Sequence, residues 1–287
     1  MDDRELLRVV SDIVGRKNTM DDCAEVPCGD RIMVLTTDML HRTTDFERGM
    51  SDWQIGWMSA AVTLSDIASM GADPEYLLIA VGLDDWKNLA GVMQGSQDCC
   101  RKYGAAIIGG DIDHHQELTV VTTGIGIVDR NRIVRRTGAQ PGDLVCITGT
   151  PGQAQAYLDG YRRHEKALFE PQPRVEEGKR LARSGVSAMM DDSDGIALSL
   201  YDLVSVNECG FSLDSAKIPR PAGIPEEQAR ELALFGGGDY ELIFTLPPGR
   251  HPIDGVIYTV IGTAIKEKVV IVDGRPLEKR GYQHRWD

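Results

Sequence analysis

Apolar and polar positions in the first half of the chain follow two periods, one typical of buried strands and one of helices. Helical spacing predicts a short amphipathic helix near the N-terminus, with an apolar face of Leu6, Val9, Val10 and Ile13. Longer helices are predicted over WQIGWMSAAVTLSDIASM, which Ser51 or Asp52 can cap, and over WKNLAGVMQGSQDCCRKYG, which Gly104 ends. Apolar runs predict strands at RIMVLTTDML, PEYLLIAVGL, AAIIGGD and LTVVTTGIGIV.

The second half repeats this alternation after a polar stretch, RRTGAQPGD, that is typical of a boundary. Strands are predicted at LVCITGT, YELIFTL, IYTVIGTAI and VVIVDG, and helices at RVEEGKRLARSG and DGIALSLYDLVSVNECG. Strands interleaved with helices in both halves predict two α/β or α+β domains. We place them at residues 1–137 and 138–287.

The composition narrows the class of protein. The 287 residues are 42% hydrophobic and 26% charged, which is typical of a globular chain. A formal net charge of −13 argues against a nucleic-acid partner, because phosphate backbones are bound by clustered Lys and Arg. No apolar run approaches the roughly 20 residues of a membrane span, and the acidic N-terminus does not resemble a signal peptide. None of the six cysteines forms a C-x-x-C pair, so we expect reduced thiols in a cytoplasmic protein without a membrane partner.

Five short segments each place aspartates at the end of a predicted strand or in a turn: MDDCA, TTDML, IIGGDID, MMDDSDG and GGGDYEL. A sixth acid, Asp66, lies inside the long helix on a face of apolar and small residues, where a charge is costly unless it is paired or bound to metal. Any single segment also fits a turn or a helix cap. Converging strand ends, however, bring their carboxylates together, and carboxylates with hydroxyls form a site for Mg²⁺ or Ca²⁺.

Magnesium is the better match to these segments. An EF-hand with Gly195 at its sixth position would require Met190 as the first ligand, and methionine does not ligate calcium there. The sequence has no P-loop, no complete dinucleotide fingerprint, no protein-kinase signature and no nucleophile elbow. We therefore expect any nucleotide to bind through several magnesium ions, with the glycines at 109–110 and 236–238 allowing close backbone approach.

Taken in order, the motifs resemble those of the thiamine-monophosphate kinase family, in the superfamily that includes aminoimidazole ribonucleotide synthetase. The resemblance covers most of the chain through DDCAEV, LTTDML, AVTLSDIASMGADP, IIGGD, RRTGAQPGD, VCITGTPG, DDSDG, GGGDYELIFT and GYQHRW. It implies a two-domain, PurM-like α/β (α+β) architecture, with an N-terminal mixed sheet whose domain forms a homodimer and a C-terminal α/β domain. It also implies direct phosphoryl transfer from ATP to thiamine monophosphate, giving thiamine diphosphate, with several Mg²⁺.

The resemblance assigns roles residue by residue. The implied metal ligands are Asp22, Thr36, Thr37, Asp38, Asp66, Asp111, Asp191 and Asp194. The implied nucleotide contacts are Tyr103, Gly110, Asp111, Arg136 and Ser193. Asp38, Asp66 and Arg136 are the expected catalytic residues, the acids by holding cations and the arginine by stabilising charge in the transition state. Asp192 is an additional acid without an assigned role.

The implied substrate contacts are Asp45, Gly238, Arg285 and Trp286, and here the chain departs from the family pattern. The bacterial enzymes carry His in place of Asp45, Glu in place of Gly238 and an aromatic residue near the C-terminus, where this chain reads Arg285 and then Trp286. Two alternatives therefore stay open. One is another ATP-dependent enzyme of the superfamily with a different phosphate or amide acceptor, and the other is a non-catalytic sensor of Mg-ATP.

Overall fold

The computed structural model describes residues 2–284, which form two β-sheets with helices packed against them. The helices are α1 (Asp3–Val14), α2 (Asp52–Ser69), α3 (Leu89–Tyr103), α4 (Gln153–Leu158), α5 (Glu165–Phe169), α6 (Val175–Ser184), α7 (Ile196–Val206) and α8 (Glu226–Phe235). None of the helices in residues 2–284 is long and apolar enough to cross a bilayer.

The first sheet is mixed and has the order β1-β2-β5-β3-β4. Its strands are β1 (Ala24–Cys28), β2 (Arg31–His41), β3 (Asp73–Leu83), β4 (Ala106–His114) and β5 (Thr119–Asp129). Strands β3 and β4 are parallel and the other neighbours are antiparallel. An N-terminal mixed sheet was predicted from the resemblance, and the structure confirms it.

The second sheet has the order β12-β11-β8-β10-β6-β9-β7. Its strands are β6 (Leu144–Thr148), β7 (Ala188–Asp192), β8 (Gly210–Leu213), β9 (Glu241–Leu246), β10 (Tyr258–Ile265), β11 (Val270–Val272) and β12 (Arg275–Pro276). Every helix and strand predicted from the periodicity is present. The strands β1, β7, β8 and β12 and the helices α4, α5 and α8 were not predicted, because they are short or mostly polar.

Helix α2 lies at the centre of the molecule and is buried along most of its length. It begins with a capping box in which the Ser51 hydroxyl accepts from the Gln54 N–H and the Gln54 side chain accepts from the Ser51 N–H. One side of α2 packs on β2 and β5, and other sides contact α3, α6 and β7. Helix α2 therefore contacts strands of both sheets.

Two glycines allow α2 and α3 to pack backbone against backbone. A Cβ on Gly56 would lie 1.9 Å from the Val92 carbonyl oxygen, and one on Gly95 would lie 1.8 Å from the Trp53 carbonyl oxygen. The Ser96 hydroxyl donates to the Gly56 carbonyl across the same contact, at 2.9 Å. Larger side chains at these positions would force the helices apart and displace α2 from the first sheet.

The two faces of the first sheet differ in burial, as strand β2 shows: one face packs on α2 and the other is exposed. Its even-numbered residues Ile32 and Val34 are buried against α2, and Thr36 and Asp38 follow on the same face. The opposite face carries large apolar side chains that are more than a third exposed, namely Val26, Met39, Tyr76, Leu78 and Ile108. We call this second surface the outer face.

We expect Gly95→Ala to lower the free energy of unfolding by about 1–3 kcal/mol or more, because the added methyl group overpacks a rigid helix contact. Urea denaturation measures the change. Gly249→Ala is the matched control, since Gly249 is exposed and a Cβ there meets no heavy atom within 4 Å. The free energy of unfolding of this control should stay within about 0.5 kcal/mol of that of the wild type. Equal stability of Gly95→Ala and the wild type would contradict the backbone-to-backbone packing.

Candidate active site

Three carboxylates from distant parts of the chain meet between the two sheets. Asp22 precedes β1, Asp66 lies on α2 and Asp191 on β7, and one oxygen of each lies within 4.8 Å of the other two. Hydroxyl groups fix their orientation, since Thr36 donates to Asp66 at 2.5 Å, Ser65 to Asp191 at 2.8 Å and Ser69 to Asp22 at 2.6 Å. The sequence predicted this convergence, and the structure brings these three aspartates together. We call them the acidic cluster.

Burial and mutual repulsion shape the protonation of the acidic cluster. Burial raises the pKa of Asp66 well above its usual value, and the negative charges of Asp38 and Asp191 raise it further. Burial raises the pKa of Asp191 in the same way, with Asp22 as the main neighbouring charge. Ionised carboxylates this close together need a compensating cation. The set of oxygen donors is the one that magnesium prefers.

Asp38 and Arg136 flank the acidic cluster. The Thr63 hydroxyl donates to Asp38 at 2.6 Å, and burial raises the pKa of this carboxyl. The Arg136 guanidinium donates through Nε and Nη2 to one oxygen of Asp22, with the Nε contact at 2.9 Å, and the Arg136 backbone N–H donates to Asp21. Arg136 therefore contributes a positive charge directly beside the acidic cluster.

Asp194 contacts a residue that the sequence did not single out. It follows β7, and its Oδ2 accepts a hydrogen bond from the guanidinium of Arg4 at 2.8 Å. Arg4 lies in the N-terminal helix α1, which was predicted only as an amphipathic element. Nothing in the sequence pattern could have paired them, because the partners are 190 residues apart.

The structure does not bring Thr37 and Asp111 into the acidic cluster. The pleat of β2 directs Thr37 to the outer face, where its hydroxyl bonds to the Thr122 carbonyl and to Thr123. Asp111 on β4 is exposed, and its carboxylate accepts the Ile112 N–H at 2.9 Å. Their assignment as metal ligands stays a prediction.

The predicted nucleotide contacts are spread over the first sheet, α3 and the turn after β7. A Cβ on Gly110 would lie 1.7 Å from the Ile79 carbonyl oxygen, so only glycine fits this part of β4. Tyr103 ends α3, and its hydroxyl donates to Gln172 at 3.1 Å. Ser193 lines the cavity described next. Ser193 therefore shares a cavity with Asp66 and Asp191 of the acidic cluster, and the roles of all three positions stay predictions.

A cavity of about 920 Å³ extends from the acidic cluster toward the loop at residues 42–50. Asp38, Asp66, Asp191 and Asp194 line one end of it. The predicted substrate positions Asp45 and Gly238 line the walls, together with the aromatic side chains of Tyr240 and Tyr282. Arg285 and Trp286 lie outside the described residues.

Each wall position has a distinct local role. Asp45 holds the loop, because its Oδ2 accepts from the His41 N–H and the Thr44 hydroxyl, both at 2.7 Å. Gly238 has φ of 90°, a left-handed conformation that a larger residue would adopt only under strain. Tyr240, which the sequence analysis missed, also has a positive φ of 53° and packs on the hydrophobic core beside α2. Burial, and then the charges of Asp38 and Asp191, raise its pKa.

Asp192 points away from the acidic cluster. The pleat of β7 turns it toward α7, where Ser199 donates to Oδ1 at 2.8 Å. Its Oδ2 is the one buried side-chain oxygen or nitrogen in residues 2–284 that has no hydrogen-bond partner. Burial raises the pKa of Asp192 to about 8. Asp192 is therefore part of the interior of the second sheet rather than of the cavity.

Comparison with known proteins gives the family. Residues 20–128 match the model of the AIR synthase related protein, N-terminal domain. The chain is 47% identical to a thiamine-monophosphate kinase of Methanospirillum hungatei, over all of both proteins, and 38% identical to one of Halobacterium salinarum, over 99% and 100%. The solved structure of AaThiL complexed with AMPPCP and TMP superposes with a TM-score of 0.93 at 27% identity, over 99% of this chain and 97% of that one. The chain belongs to the thiamine-monophosphate kinase family and has its two-sheet, PurM-like α/β fold.

Proposed function

We propose that this protein transfers the γ-phosphoryl group of ATP to thiamine monophosphate, giving thiamine diphosphate and ADP. The observation that carries the proposal is the acidic cluster at one end of a cavity large enough for an organic acceptor. The AaThiL structure, whose ligands are an ATP analogue and TMP, supports the same pair of substrates for this chain. The full-length likeness to the archaeal kinases supports the same reaction.

We propose that several magnesium ions accompany the ATP. The oxygen donors that fit them are the carboxylates of Asp22, Asp38, Asp66, Asp191 and Asp194 and the hydroxyl of Thr36. Bound magnesium would neutralise the repulsion between the phosphates of the two substrates and polarise the group being transferred. Thr37 and Asp111 remain proposed ligands from the outer face of the first sheet.

The acceptor phosphate is already an anion near neutral pH, so the protein needs no general base for its attack. The chain's own task is to hold the two phosphates in line and to keep charge balanced around them. Arg136 contributes to this charge balance, because its guanidinium group is bonded to Asp22 and its positive charge lies at the edge of the acidic cluster. Its predicted role in stabilising the transition state is retained in this proposal.

Two aromatic residues of the cavity lining suit a cationic ring system. Tyr240 and Tyr282 present aromatic side chains to the cavity, and a cation over such a face gains about 0.5–2 kcal/mol. Asp45 uses Oδ2 to hold its own loop, so Oδ1 is the oxygen that can face a thiazolium ring. We therefore propose that this wall binds thiamine monophosphate despite the departures expected from the family pattern at Asp45 and Gly238.

The first test is phosphorus NMR of the purified protein with Mg-ATP and thiamine monophosphate. We expect thiamine diphosphate and ADP in equal amounts. Release of inorganic phosphate without thiamine diphosphate would indicate another ATP-dependent reaction of the superfamily. Binding of Mg-ATP without turnover on any phosphate acceptor would indicate a sensor.

We expect Asp38→Asn to reduce turnover by on the order of 100-fold or more, because loss of a carboxylate beside the cations exceeds the 10–100-fold typical of second-shell changes. Steady-state assays at saturating Mg-ATP measure the loss. Asp30→Asn, a matched change at an exposed turn, should leave turnover as it is. Near-normal turnover of Asp38→Asn with a native fold would contradict the multi-metal account.

We expect Asp66→Asn to raise the melting temperature of the protein in EDTA, because it removes a buried charge repelled by Asp38 and Asp191. Added Mg²⁺ should then stabilise the wild type more than the variant. Differential scanning calorimetry measures both shifts. Asp113→Asn, at an exposed carboxylate, should change neither value. A lower melting temperature of Asp66→Asn in EDTA would show that repulsion does not govern the acidic cluster.

We also propose a cytoplasmic location and a homodimer formed through the outer face. All six cysteines are free, five of them buried, which suits a reducing compartment. A contiguous apolar sheet face of this kind is typical of an interface, and a second copy of the same face is the occupant that the family resemblance implies.

We expect the wild type to be a dimer at micromolar concentration and Ile108→Glu to be a monomer, because the charge would be buried against the partner sheet. Size-exclusion chromatography with light scattering measures the mass. Ile257→Glu is the control, since Ile257 is 89% exposed and does not lie on the outer face. A monomeric wild type would contradict the proposed dimer.

A further inference from the structure

Arg4 connects the N-terminal helix α1 to the turn that carries Asp194. Its Nε donates to Asp202 Oδ1 at 3.0 Å, and its Nη2 donates to Asp202 Oδ2 at 2.6 Å. The same Nη2 also donates to Asp194 Oδ2 at 2.8 Å. The Arg4 side chain is only 17% exposed, so this is a desolvated contact rather than a surface ion pair.

The turn at residues 193–195 is fixed from three directions. Arg4 holds the Asp194 side chain, the Tyr282 N–H donates to the Asp194 carbonyl at 3.0 Å, and the Gly238 N–H donates to the Ser193 carbonyl at 2.7 Å. Of these three contacts, only the one from Arg4 acts on the carboxylate itself. The backbone contacts set where the turn lies, and Arg4 sets the rotation of the Asp194 carboxylate.

We propose that Arg4 is a positioning residue of the cation site. Arg4 binds Oδ2 of Asp194 and thereby leaves Oδ1 directed to the cavity. This inference rests on the proposed function, in which Asp194 is one of the magnesium ligands. It extends the active site to the N-terminal helix. Removing a side chain that orients a ligating carboxylate typically lowers metal affinity 10–100-fold, because the unrestrained carboxylate must then be ordered when the metal binds.

The alternative role of Arg4 is a competing cation that the metal must displace. The two roles predict opposite signs. Asp202 bonds both Nε and Nη2 of Arg4, and the two carboxylates of Asp194 and Asp202 share this one guanidinium, so the group as a whole still attracts a cation. We expect the loss of carboxylate orientation to outweigh the loss of positive charge, so removal of the Arg4 side chain should weaken cation binding.

The test measures Mn²⁺ binding to the full-length protein by electron paramagnetic resonance. Nucleotide and acceptor are both left out. Asp194→Asn serves as the reference for loss of the ligand. We expect Arg4→Gln to raise the Mn²⁺ dissociation constant about tenfold or more. Arg4→Lys keeps the charge but lacks the fork that spans Asp202 and Asp194, so its dissociation constant should fall between those of the wild type and Arg4→Gln.

Arg16→Gln is the matched control. Arg16 lies two residues after the end of α1, and its Nη2 donates to the Ser205 carbonyl at 2.7 Å, so it ties this end of the helix to α7 without touching Asp194. We expect its Mn²⁺ affinity to equal that of the wild type. Circular dichroism of each variant establishes that the protein is folded. In steady-state assays, Arg4→Gln should raise the Mg²⁺ concentration for half-maximal rate, and Arg16→Gln should not.

The outcomes separate this inference from the proposed function. If Asp194→Asn weakens Mn²⁺ binding and Arg4→Gln does not, the positioning role is overturned while the cation site stands. Tighter Mn²⁺ binding by Arg4→Gln would identify Arg4 as a competitor and would also overturn it. If the wild type binds no Mn²⁺, the cation site itself is overturned, and the inference falls with it.

Discussion

Repulsion among buried carboxylates is the constraint on which the rest of this structure depends. One carboxylate oxygen from each of Asp22, Asp66 and Asp191 lies within 4.8 Å of the other two, with Asp191 buried and the others half-buried, a geometry that costs free energy in the absence of a cation. The protein tolerates it because each carboxylate is also fixed by a hydroxyl, and because Arg136 lies beside Asp22. The molecule thus keeps the cluster ready for cations at the expense of its own stability.

The geometry of the cluster follows from the burial of α2. Only a helix enclosed by both sheets can place Asp66 beside a residue of β7 and a residue ahead of β1. That enclosure depends on the glycine contacts between α2 and α3, where no side chain separates the backbones. The close packing of the α2 and α3 backbones therefore determines whether the carboxylates meet.

Sequence patterns predicted the elements that are long and periodic, and they predicted that aspartates at strand ends would converge. The resemblance assigned Thr36, Thr37 and Asp38 alike as metal ligands, whereas the two-residue period of a strand places Thr37 on the opposite face from Thr36 and Asp38. The contacts of Arg4 and Tyr240 were not readable, because each depends on a partner brought close only by the tertiary fold. The short strand β7 was missed for a related reason: two aspartates at its end resemble a turn until the second sheet supplies their surroundings.

The two ends of the cavity are built by different means. At the acidic cluster, side chains from several elements define the site, and their charges leave little freedom for substitution. At the acceptor wall the backbone sets much of the shape, since Gly238 and Tyr240 both adopt positive φ and Asp45 is bonded to its own loop. The side chain at position 45 can therefore change while the cation site stays the same, whereas a residue larger than glycine at position 238 would adopt its φ only under strain. The departures that the resemblance implies, at Asp45 and Gly238, lie at this wall, and the acidic motifs that it implies to be shared lie at the other end.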